Sequence, residues 1–177
     1  MARTSKLQDQ PQPAPRLRRA YYDCRYGQLH LHNAIPGGGG FDELTAVICL
    51  HGAGETGRVF MPLLAALGEA RSVYALDLPG AGESDPAPGV DAIEAAVHAV
   101  VDFADSMRIR QFDLLARGTA APAVLKLLEA RGQSVRRAVV LGADGLRGGP
   151  KLTVLSGAEA ASAQLPSRVV DLLRAGT

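Results

Sequence analysis

"CLHGAGETGRVFMPLLAALGEARSVYALDLPGAGESD", residues 49–85, decides the fold. It joins two apolar runs, "AVICLHG" (46–52) and "SVYALDLPG" (72–80), each ending on a glycine-containing turn. Neither run alternates polar with apolar residues, as a strand buried on both faces requires. Between them Phe60, Leu63, Leu64 and Leu67 recur at helical spacing. Strand, helix, strand is the unit of a parallel sheet, because parallel neighbours need a long crossover.

The rhythm continues downstream. "VDAIEAAVHAVVDFADSMRI" (90–109) reads as a helix with Asp91 as N-cap and Ile93, Val97, Val100, Val101 and Ala104 as its apolar stripe. "QFDLLA" (111–116) is a strand, and "PAVLKLLEARG" (122–132) its helix, with Gly132 as C-cap. "RRAVVLGADG" (136–145) and "KLTVLSG" (151–157) are further strands, and "PSRVVDLLRAG" (166–176) is a helix opened by Pro166. Alternating strands and helices put helices on both faces of a mostly parallel sheet, so the predicted fold class is α/β, doubly wound.

Upstream, "YYDCRYGQLHLHNAI" (21–35) alternates and reads as a hairpin on the sheet edge, with Leu29 and Leu31 on one face. His30 and His32 share the other face, where they are expected to be exposed polar residues; no metal is assigned. Residues 1–19 are Pro-rich and carry Arg3, Lys6, Arg16, Arg18 and Arg19, which predicts a disordered basic arm before a single domain over 20–177.

Composition bounds the function. The 177 residues are 47% hydrophobic with net charge +1, enough for one aliphatic core and too balanced for a general nucleic-acid binder. Two cysteines form no disulfide framework, and Cys49 inside "AVICL" reads as an inert buried thiol. No secretory h-region or membrane-length apolar stretch is present, which leads to the expectation of a cytoplasmic protein with no membrane partner.

In a doubly wound sheet the ligand crevice lies beyond the carboxyl ends of the strands. The segments there are "HGAGETG", "DLPGAGES", "ARGTAA" and "GADGLRGG". In order and spacing, the first two resemble the α/β-hydrolase family, and the correspondence runs from about Tyr21 to about Gly145. The resemblance implies an oxyanion role for a backbone N–H near Gly52 or Ala53, beside His51, paired with the N–H just after the nucleophile position, that of Thr119. Ser84 in "LPGAGES" reads as a turn residue.

The family's nucleophile stands on a strained G-x-S-x-G turn. The matching residues are Ala116, Arg117, Gly118, Thr119 and Ala120, so the nucleophile position is Gly118. Glycine has no side chain with which to form an acyl intermediate. Small Ala116 and Ala120 preserve the turn's shape, while Thr119, one residue late, is expected to point away from the crevice and is a weak candidate. All four histidines (His30, His32, His51, His98) precede Gly118, whereas the family's histidine follows the nucleophile. The acid position falls on Ala160, with Glu159 beside it as another weak candidate.

The expectation is therefore a shortened, capless family member with a degenerate triad and no cofactor. It would bind a small apolar ligand in a crevice of His51, Gly52, Ala53, Arg117 and Thr119, or serve as a protein-interaction scaffold. An active hydrolase of ester, thioester or carbon–carbon bonds, completed by an atypical or partner-supplied group, is the alternative. "KLTVLSG" as a final edge strand implies a homo-oligomer or a protein partner along that edge.

Overall fold

The computed structural model describes residues 13–38 and 44–174. Seven strands form one sheet in the order β1-β2-β4-β3-β5-β6-β7. The antiparallel hairpin β1 (Arg16–Cys24) and β2 (Gly27–Ile35) stands at one edge, as the alternation predicts. Strands β3 (Ala46–Leu50), β4 (Val73–Leu76), β5 (Phe112–Arg117), β6 (Val135–Leu141) and β7 (Leu152–Leu155) run parallel. The doubly wound α/β class is thus observed, with β2 antiparallel to β4 at the join.

Because successive side chains on a strand point to opposite faces, one apolar run serves two cores. Ile48, Leu50, Leu76, Leu114 and Ala116 face α2 (Ala92–Ser106) and α3 (Ala121–Ala130). Val47, Cys49, Val73, Leu115 and Val139 face α1 (Met61–Gly68) and α5 (Leu165–Arg174). Burial pushes the Cys49 thiol far above its ordinary value, in keeping with an inert group.

Three expectations need correction. The basic arm is shorter than 19 residues, because Arg16 to Arg19 already pair with Ile35 to His32 in β1; residues 1–12 lie outside the described residues. The buried face of α2 is Ala95, Ala96, Ala99, Val100, Phe103 and Ala104, while Ile93, Val97 and Val101 are half-buried on its flanks. Four alanines on the inner face let the helix lie close to the sheet, so small residues take the place that hydrophobicity alone assigns to larger ones. Helix α3 is capped by Arg131 rather than Gly132. Asp91 does cap α2, accepting from the N–H groups of Ile93 and Glu94.

The hairpin turn is fastened to α2 by Arg25. Its Nε and Nη2 donate to the two oxygens of Asp102 at 2.9 and 2.7 Å, and its backbone N–H adds a third bond at 2.9 Å. The hydrogen bonds from Arg25 hold the Asp102 carboxyl below its ordinary value. A carboxylate depressed in the folded state contributes fully above its unfolded value, about pH 4. That contribution fades as pH falls below this. In urea unfolding, Asp102→Asn is expected to be less stable than wild type at neutral pH, and the gap is expected to close below about pH 4. A gap independent of pH would contradict this account.

At the other edge, the chain before β7 folds back on it. Leu152, whose backbone points outward from the sheet, exchanges both its N–H and its C=O with Gly149. The loop therefore covers part of the edge that the sequence leaves open.

Candidate functional site

The glycine turn after β3 reaches the carboxyl end of β5, and its residues are held by side chains at each step. His51 is buried and spent on structure: Nδ1 donates to the Gly52 carbonyl at 2.8 Å and Nε2 accepts from the Leu78 N–H at 2.9 Å. With Nε2 accepting, the ring is neutral and ties the β3 turn to the β4 turn. It has no lone pair left to act as a base.

The Gly52 N–H donates to Glu55 Oε2 at 2.8 Å, and the Ala53 N–H to Thr119 Oγ1 at 2.8 Å. Oxyanion stabilisation needs donors aimed at the place where charge develops. The N–H groups of Gly52 and Ala53 are both engaged by oxygens of this chain. Sequence reasoning turns Thr119 away from the crevice; the structure brings its hydroxyl into it, because residues 118–120 form a 3-10 turn leading into α3. Arg117 Nη2 reaches Glu55 Oε1 at 3.1 Å, so Glu55 links the two turns. Glu55 was visible inside "HGAGETG", but its position three residues after Gly52 carries no distinctive signal.

Gly118 does not hold the strained backbone of a nucleophile turn, since its φ is outside the left-handed region. Small Ala116 and Ala120 preserve a tight strand-to-helix connection, but a relaxed one. A Cβ built on Gly118 would lie 2.3 Å from the Gly142 carbonyl oxygen. The space that a side chain at position 118 would take is filled by backbone.

Gly118 shares a cleft of about 380 Å³ with Arg117, Thr119, Gly142 and Ala160, so the residues that the sequence resemblance sets at the nucleophile and acid positions line one cleft. Neither carries a reactive group. Glu159 closes a capping box with Ser156 at the start of α4 (Gly157–Ala160) and pairs with Arg168 at 2.8 Å; it does not line this cleft. His98 sits on α2 against the Tyr26 hydroxyl. Ser84 Oγ donates to the Asp77 carbonyl at 2.6 Å, as a turn residue.

On the α2 side a second cleft of about 320 Å³ opens between His51, Gly52, Ala53, Leu78, Ile93 and Thr119. Its walls are small and apolar. The expected crevice residues thus line two adjoining clefts, with Arg117 in the first and His51 and Gly52 in the second.

The chain matches the alpha/beta hydrolase family over residues 47–176, and it belongs to that family. Among solved structures it is similar to a serine hydrolase from Cycloclasticus zankles, with 21% identity and TM-score 0.64, covering 76% of this chain and 48% of that one. It is also similar to naproxen esterase from Bacillus subtilis (20%, TM-score 0.63, 74% and 44%). An epoxide hydrolase from an endophytic Streptomyces is a third (18%, TM-score 0.62, 71% and 37%). The chain spans less than half the length of each, and identities this low speak for the fold alone. No curated protein matches it. No helix among the described residues is long and apolar enough to cross a membrane.

Proposed function

We propose that this chain is a non-catalytic α/β-hydrolase domain that holds a small apolar ligand in the cleft between His51 and Ile93. The observation that carries the reading is the Gly142 carbonyl oxygen, 2.3 Å from where a Gly118 side chain would begin. The engaged N–H groups of Gly52 and Ala53 and the engaged His51 support it independently, since each removes a different requirement of acyl transfer. Small-molecule sites are concave and mostly apolar with a few polar groups, which describes the cleft over Leu78, Pro79, Ile93 and Ala123.

The test uses the whole chain, a panel of activated esters, a serine-reactive phosphonate and the apolar dye anilinonaphthalene sulfonate. Ester turnover is expected to equal a heat-treated control and phosphonate labelling to be absent. Dye fluorescence is expected to rise saturably and to be lost in Ala92→Trp, which places an indole at the exposed mouth of the cleft. Stoichiometric labelling overturns the non-catalytic reading; dye binding indifferent to Ala92→Trp overturns the ligand site.

A further inference from the structure

His30 is not the exposed residue that alternation suggests. It is 2% exposed, because β2 has β4 on one side and β1 on the other and the segment after β4 wraps its outer face. The antiparallel register places His32 opposite Ala75, and the Asp77 N–H donates to the His30 carbonyl at 2.9 Å. His30, His32 and Asp77 therefore project from one face of two paired strands. Each can offer a donor atom within 4.8 Å of the others'.

The hydrogen bonds fix how the set is used. His30 Nδ1 donates to Asp77 Oδ2 at 2.9 Å, which leaves Nε2 as the ring nitrogen open to a further group. That Nε2 is buried with no hydrogen-bond partner among the described residues. A buried ring nitrogen left without a partner is costly, which asks for a compensating group. Asp77 is itself fixed, accepting from the Gly57 N–H at 2.7 Å and the Glu83 N–H at 3.1 Å.

The His32 ring stands edge-on to His30, their centroids 5.0 Å apart. Burial, then the neighbouring His30, pushes His32 below its ordinary value. A cleft of about 400 Å³ lined by His32, Asn33, Arg58 and Met61 opens this face to solvent and leaves room for water ligands. Arg19 and Arg58 at the rim oppose a cation, but both are exposed and screened, and Arg19 is paired with Glu83.

We propose that His30 Nε2 and a ring nitrogen of His32 ligate a divalent transition-metal ion, with Asp77 as the carboxylate that orients His30. Imidazole pairs suit zinc, cobalt, nickel and copper, and a carboxylate on the far ring nitrogen is the usual support of a ligating histidine. Two histidines one residue apart on a strand present their rings side by side without any backbone change. The ion would pin β2 to the turn after β4, on the α1 side of the sheet and apart from the ligand cleft, so the proposal does not depend on the function assigned above.

The experiment titrates chelator-treated protein with Co²⁺, read by its visible absorption, and with Zn²⁺, read by calorimetry. One equivalent is expected to bind saturably with imidazole-type cobalt bands. His32→Ala, at a half-buried position that tolerates truncation, is expected to weaken binding by about tenfold or more. His98→Ala, remote from the set, is expected to bind as wild type does. No saturable binding, or binding unchanged in His32→Ala, overturns the site.

Discussion

Asp113→Ala is expected to destabilise the fold by about 3–5 kcal/mol, lowering Tm by roughly 10 °C. Asp113 is fully buried as the second residue of β5. Arg71 Nη1 meets it at 3.0 Å, and Arg136 meets it with two bonds, Nε at 3.0 Å and Nη2 at 2.5 Å. Both guanidiniums also donate to the Leu173 carbonyl at the end of α5, and Arg71 to that of Thr45. Alanine leaves two largely buried cations facing each other with no anion between them, and desolvated charge without a partner is among the most costly defects a core can carry. Asp113→Asn, isosteric but neutral, is expected to lie between the two. Chemical denaturation checks the series; a loss under about 1 kcal/mol for alanine would show that the triad contributes little to the fold.

Gly118→Ser, the substitution that restores the family's nucleophile in name, is expected to create no hydrolase. The new Cβ would lie 2.3 Å from the Gly142 oxygen, so β5 and the turn after β6 must move apart before a side chain fits. Overpacking of this kind costs about 1–3 kcal/mol. Even accommodated, the serine would find the Gly52 and Ala53 N–H groups engaged and His51 committed on both ring nitrogens. Ester turnover is expected to stay at the level of wild type while the urea midpoint falls. Phosphonate labelling of the introduced hydroxyl at unchanged stability would show that the turn relaxes freely and that a base is within reach.

How much of this was legible follows from the range of each interaction. Residues 46–80 specified strand, helix, strand because the periodicities of buried strands and helices are local properties of the chain. The order of turns around His51, Asp77 and Gly118 then identified the family, and the missing side chain at Gly118 was plain from the letters. The Asp113 hub was not, since Arg71 and Arg136 lie 42 and 23 residues from it and nothing in "QFDLLA" announces them. Nor was the role of Thr119, which depends on whether the turn before α3 is strained or relaxed. His30 shows the same limit: alternation correctly set its face, but which face the fold covers depends on the segment after β4.

By itself, then, the sequence determined the layered α/β architecture, the hairpin edge, the N-cap of α2 and the absence of a side chain at position 118, because each rests on residue identity and near-neighbour spacing. Tertiary structure alone decided that the Gly142 carbonyl fills the space beside Gly118, that the Gly52 and Ala53 N–H groups are engaged, and that His30, His32 and Asp77 converge. Those are contacts between segments distant in sequence, and their geometry is set by how strands register and turns pack, which no local pattern encodes.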